Sequence, residues 1–186
     1  MFKLITSVGI VGLASALALP VAARQSTPHH RATATRQALD DATIVAIFDA
    51  TNTADVETGD LAAKQASDKD VRALGAQFAR DHRAVRQQGR DLAKKLGVTP
   101  TPPANDKSAE QSAAVMKDLK ARHGSDFDKA YLAHEVEFHE QVIDALNSTL
   151  VPAIQNAQLK DLVQKVVPAF QAHLAMAKNL QQKLGM

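Results

Sequence analysis

From Asp41 onward the apolar residues return every three or four positions, and four stretches sustain this period long enough to define one face of an α-helix. The first covers about residues 41–66, starting after Asp40 or Asp41, with a stripe of Ile47, Ala50, Ala54, Leu61 and Gln65. Ser67 and Asp70 then stand at capping-box spacing and launch a second helix, striped by Val71, Leu74, Gly75, Phe78, His82, Val85, Gly89, Leu92 and Leu96, which Gly97 and Pro100 stop. The segment VTPTPPANDK reads as a loop, and Ser108 with Gln111 predicts a shorter helix to about His123. Gly124 closes it, and Ser125 with Asp128 caps a third long helix over about residues 126–150. Its stripe is Leu132, Glu135, Val136, His139, Val142, Ile143, Leu146 and Leu150. A turn at residues 152–156 leads to a fourth helix carrying Leu159, Leu162, Val166, Phe170, His173, Ala177, Leu180 and Leu184. Pro168 inside it cannot bond the Gln164 carbonyl, which predicts a bend or break shortly before His173.

Each long helix has one stripe to bury, so the pattern predicts an all-α fold: a four-helix bundle with a short connecting helix between the second and third long helices. The link between those two is longer than antiparallel neighbours require. It suits a crossover of the ferritin-like kind, and a simple up-down order stays open. An Ala-, Leu-, Lys- and Gln-rich composition with few aromatics and glycines agrees.

Before this domain, the opening MFKLITSVGIVGLASALALPVAA has a cationic start at Lys3, an apolar run and a small-residue exit. This predicts a signal peptide over residues 1–23 with a cut after Ala23, then a polar leader over 24–40 and the bundle over 41–186. Pro20 and the small residues argue against an uncleaved anchor, and no other stretch is long and apolar enough to span a membrane. The expected location is therefore the periplasm. With no cysteine, a packed core alone holds the fold in that oxidising compartment, and any metal must be held by nitrogen and oxygen. The chain carries 22 Lys and Arg against 20 Asp and Glu, which gives no electrostatic case for nucleic acid. Arg72, Arg80, Arg83, Arg86 and Arg90 line one side of the second helix, either as a solvated face or as a ridge for an anionic envelope partner. Oligomeric state has no signature.

The stripes contain residues that do not belong in an apolar core. His82, His139 and His173 fall on the inward faces of three helices, and Glu57 lies at the edge of the first helix's stripe. All four stand in the central part of their helices, so they are expected to share a depth. Glu135 is one turn before His139, as ligand or as the partner that orients the ring. Unpartnered, each buried polar group costs about 1 to 3 kcal/mol. Two resolutions follow. Either a transition metal (Zn, Cu, Ni or Fe) collects Glu57, His82, His139, His173 and Glu135, or the carboxylates bond the rings in a structural network. Asp81 precedes His82 and points about 100° away, so the two make no dyad by themselves. His123 is assigned to a helix C-terminus, His134 to the Tyr131 and Phe138 flank, and His29 with His30 to the leader as an incidental pair. Nothing resembles a nucleophile elbow, a phosphate-cradling loop or a nucleophile-base pair, so hydrolase or transferase chemistry has no support.

The segments DVETGDLAAKQASDKDVRALGAQFARDH, GSDFDKAYLAHEVEFHEQVI and VVPAFQAHLAMAKNL resemble the bacterial family called domain of unknown function 4142. The likeness covers about residues 41–180 and rests on Glu57, Gly59, Lys64, Asp81 with His82, Phe127, Asp128, Tyr131, His139, Pro168 and His173. It implies a ferritin-like bundle exported into a Gram-negative envelope. It does not imply ferritin chemistry. A di-iron carboxylate core needs a Glu-x-x-His pair on two helices, and here the second helix has no such pair and the fourth has no glutamate. Two functions are therefore expected as alternatives: a metal-holding bundle acting in metal handling or envelope stress, and a non-catalytic interaction module of the cell envelope with a buried His/Glu network.

Overall fold

The computed structural model describes residues 39–186. The expected signal peptide, nearly all of the leader, and His29 with His30 lie outside the described residues.

Helix α1 (Asp41–Gln65) starts where the Asp40 side chain accepts a hydrogen bond from the Thr43 amide, satisfying one of the amides that a first helical turn leaves free. Helix α2 (Lys69–Leu96) is capped by Asp68, whose Oδ1 accepts from the Asp70 and Val71 amides, one residue later than the Ser67 cap expected from the sequence. Gly97 ends α2 in the left-handed conformation, as its position in the sequence predicts. Helix α3 (Ser108–Lys120) buries only Leu119 and stops three residues short of His123. Helix α4 (Gly124–Ala145) therefore takes His123 as its N-cap residue, which corrects the C-terminal role assigned to it. A π turn (Leu146–Leu150) and a single turn, α5 (Val151–Ala153), follow. Helix α6 (Ala157–Leu184) is capped by Asn156 and runs unbroken through Pro168, where a break was one expectation; the proline sits on the exposed side.

The described residues are all helical apart from connections, and the four long helices neighbour one another in the cycle α1, α2, α6, α4. Two polar latches close it. Asp41 accepts from the Gln155 and Asn156 amides at 2.8 Å each, tying the start of α6 to the start of α1. Asp128, expected to cap its own helix, instead accepts from the Ser67 and Asp68 amides and from the Ser67 hydroxyl, so α4 holds the α1–α2 turn. Helices α1 and α2 approach backbone to backbone: a Cβ on Gly59 would stand 2.7 Å from the Gly75 carbonyl oxygen, and one on Gly75 would stand 2.8 Å from that of Gly59.

Two apolar clusters fill the interior. One gathers Ile44, Phe48, Leu146, Ile154, Val163 and Phe170, and the other Ala62, Val71, Phe78, Phe127, Tyr131 and Leu132. Helix α1 faces them with Ile44, Phe48, Asn52, Asp55, Gly59 and Ala62, rather than with the stripe of Ala50 and Ala54 expected from the sequence. That second stripe faces α3 across a cleft of about 340 Å³ lined also by Thr58, Ser112, Met116 and Phe138. Helix α1 has two apolar faces, and the one built of small residues belongs to α3.

Candidate metal centre

Between the two apolar clusters lies a polar layer drawn from all four long helices: Asn52 and Asp55 from α1, His82 from α2, Glu135 and His139 from α4, and His173 from α6. All are buried, His173 the least at 4 % exposure. The three imidazole centroids form a triangle with sides of 5.0, 5.5 and 5.6 Å. Phe78 stacks on His173 at 4.2 Å and Phe170 meets His82 edge-on at 4.9 Å, so an aromatic ring from each apolar cluster bounds the layer.

The outer nitrogen of each ring has an acceptor, and that fixes the tautomers. Asn52 donates its Nδ2 to the Phe48 carbonyl at 2.8 Å, which turns its Oδ1 toward His82 Nδ1 at 2.9 Å; His82 therefore carries its proton on Nδ1. His139 Nδ1 donates to the Glu135 backbone carbonyl at 2.9 Å, one helical turn back. His173 Nε2 donates to Asp81 Oδ2 at 3.3 Å. The remaining nitrogens, His82 Nε2, His139 Nε2 and His173 Nδ1, present bare lone pairs inward. His82 Nε2 and His173 Nδ1 are 3.0 Å apart.

Asp55 Oδ2 closes the group, 3.2 Å from His82 Nε2 and 3.9 Å from His139 Nε2. Neither Asp55 oxygen has a hydrogen-bond partner, nor has His139 Nε2 or Glu135 Oε2. Glu135 Oε1 accepts from the Thr58 hydroxyl at 3.2 Å, and Oε2 stands 3.5 Å from His139 Nδ1. The Tyr131 hydroxyl lies beside Glu135 without a hydrogen bond of normal geometry.

Electrostatics keep the rings neutral. Burial, reinforced by the other two imidazoles, pushes His82 down to about 2, and burial pushes His139 down to about 4. His173 is lowered by the same cause although Asp81 pulls it the other way. Burial raises Asp55 well above the usual carboxylate range, with Glu135 adding to it, and raises Glu135 to about 7. His82, His139 and His173 each offer a nitrogen within 4.8 Å of the others, and Asp55, Glu135 and His139 form a second such group. Bonds of about 2.1 Å to one ion place tetrahedral donors about 3.4 Å and octahedral donors about 3.0 Å apart; the 3.0 Å between His82 and His173 and the 3.2 Å between His82 and Asp55 match this, while His139 stands farther off, 3.9 Å from Asp55.

Residues 25–180 match the family described as domain of unknown function (DUF4142). The chain belongs to this family. No curated protein and no solved structure matches it. Of the DUF4142 residues that carried the resemblance in the sequence, His82, His139 and His173 are in the layer, Asp81 supports it, Gly59 makes the α1–α2 approach and Asp128 is a latch. Glu57 is not in it. Expected as the α1 ligand, it points to the exposed side and borders a cleft beside α3. Asp55, two positions earlier and about 160° around the helix, stands where Glu57 was expected. The regular spacing of Ile44, Phe48, Asn52, Asp55, Gly59 and Ala62 was the signal that could have found it.

His134 is half-buried in the α3 cleft, with its pKa lowered by burial, on the Tyr131 and Phe138 flank as expected. The arginine ridge is largely neutralised. Arg83 and Arg90 pair with Asp60 and Asp49 of α1, Arg80 pairs with Asp81, and Arg72 bonds the Ala66 and Ser67 carbonyls.

Proposed function

We propose that this DUF4142 protein is an exported, periplasmic ferritin-like four-helix bundle. In this reading it holds one divalent transition-metal ion between His82, His139, His173 and Asp55 and serves metal handling or envelope stress tolerance. The observation that carries the reading is the set of inward nitrogens: three neutral rings, oriented from outside by Asn52, the Glu135 carbonyl and Asp81, gather their nitrogens within 4.8 Å of one another, and two of them, His82 and His139, face an Asp55 oxygen that has no donor. Two ring nitrogens at 3.0 Å with both lone pairs turned inward repel unless a proton or a metal cation lies between them. Charge supports a divalent ion, because Asp55 and Glu135 as carboxylates bring the buried layer to neutrality. Nitrogen-rich ligation favours Zn, Cu, Ni or Fe over Mg or Ca. In a tetrahedral arrangement four protein donors leave no position for water or substrate, which favours holding the ion over catalysis.

One observation favours the competing structural network. With its pKa raised, Asp55 keeps its proton and can donate it from Oδ2 to His82 Nε2 across 3.2 Å. Metal analysis of untagged protein purified without chelators separates the two readings. We expect one equivalent of transition metal in the native chain and none in the variant with His82, His139 and His173 all changed to Ala. Negligible metal in both, after incubation with Zn²⁺, Cu²⁺, Ni²⁺ and Fe²⁺ in turn, defeats the metal reading and leaves the network.

A further inference from the structure

Asn52, Asp55, His82, Glu135 and His139 are sealed in at 1 % exposure or less. His173 is the exception in the layer, and the residue it bonds, Asp81, has 34 % of its side chain in solvent. Asp81 is gripped from two sides: Oδ2 faces His173 Nε2 at 3.3 Å, and Oδ1 takes Arg80 Nη2 at 3.1 Å and Nε at 3.2 Å. The Arg80 side chain is 68 % exposed. A continuous line thus runs from the centre through His173 and Asp81 to Arg80 and water, whereas along the bundle the centre is shut off by the apolar clusters.

We infer that this line is the port through which the centre exchanges its ion, with His173 as the leaf that opens and Asp81 as the latch that holds it shut. The inference rests on the metal reading above. To release an ion, one donor must let go first, and the donor with the least to displace is the one nearest solvent. Two contacts resist the swing of His173, the stack on Phe78 and the bond to Asp81; the groups facing the ring are Phe78, Asp81 and His82 from α2 and His139 from α4. The helix behind it is already loosened. Pro168 supplies no amide to the Gln164 carbonyl, so the turn leading to His173 lacks one backbone bond. Asp81 is therefore a positioning residue with two actions: it keeps the proton on Nε2 so that Nδ1 is bare, and it restrains the ring.

The test follows Zn²⁺ uptake and its loss to a chromogenic chelator in the full chain. In Asp81→Ala both rates are expected to rise about tenfold or more, so that kinetics move further than equilibrium affinity. Asp81→Asn, which preserves shape and the chance of one hydrogen bond, is expected to do the same to a smaller extent, and Asp81→Glu to restore slow exchange. Arg83→Ala breaks an exposed ion pair on the same helix away from the layer and should leave both rates as they are. Loss of affinity in Asp81→Ala with uptake unchanged overturns the port, since that is the signature of an orienting partner alone; unchanged release, or equal acceleration in Arg83→Ala, does the same. If the native chain takes up no Zn²⁺, Cu²⁺, Ni²⁺ or Fe²⁺ at all, the metal reading falls and the port with it.

Discussion

The histidine half of the polar layer and its carboxylate half are built on opposite terms. Each imidazole is braced on its outer nitrogen by an acceptor, so its inner lone pair has a fixed direction before anything binds. Asp55 is braced less: neither oxygen has a hydrogen bond of normal geometry, and Glu135 has a donor only on Oε1. Braced neutral rings set geometry at small cost, while burial favours the protonated form of the two acids, so that ionising them is costly until a cation arrives. A network evolved only for stability gains nothing from leaving Asp55 Oδ1 and Glu135 Oε2 without partners, because each orphan group costs about 1 to 3 kcal/mol.

That contrast can be broken most severely at Asp55. Asp55→Asn removes one of the two charges that balance a divalent ion, and we expect affinity for Zn²⁺ to fall by about a hundredfold or more. Without metal the same variant should melt no lower than the native chain, since it relieves a buried acid that has no partner. Chelator competition and thermal melts in EDTA check the pair; lower stability with unchanged affinity assigns Asp55 to the structural network.

A smaller effect is expected from pH. In metal-free protein His82 and His139 stay neutral far below the unfolded value of 6.5, so the unfolded chain takes up protons that the fold refuses. Their contribution is present above pH 6.5 and lost as pH falls, by about 1.4 kcal/mol per unit for each ring while the unfolded form is protonated. Glu135 works in the other direction: raised from 4.5 to about 7, it favours the fold below pH 4.5 and ceases to do so as pH rises through 7. The two trends oppose each other between pH 4.5 and 6.5. Glu135→Gln removes one of them, so the urea midpoint of the variant should fall more steeply with acid than that of the native chain. Parallel curves contradict the opposition.

The mildest probe is Asn52→Ala, which frees the His82 tautomer without touching an inner donor. Affinity should drop by about tenfold, the effect common for an outer partner of a metal-bound imidazole. No change in the chelator titration means that burial alone orients the ring.

Much of this was legible in the chain. His82, His139 and Glu135 stand on stripes of large apolar residues whose partners leave one possible inward face, and His173 follows from Val166 and Phe170 in the same way. Helix α1 was harder because its two faces are both apolar in parts, and the inner one carries Asn52, Asp55 and Thr58, which look like surface residues when read singly. The stripe of Ala50 and Ala54 offered a cleaner pattern and pulled Glu57 toward the centre, although small residues there only make room for α3. Asp128 escapes a local reading for a related reason. Three residues after Ser125 it has the spacing of a local cap, and only the fold brings the Ser67 and Asp68 amides within its reach.

The meeting of Gly59 with Gly75 sets the gauge of the centre. Because the α1 and α2 main chains touch there, the gap between Asp55 and His82 is governed by rigid rods in contact and not by side chains that can shift to suit a guest. A methyl group at either glycine would act as a shim, forcing the jaws apart and, for the proposed metal site, favouring a broader ion over a narrower one.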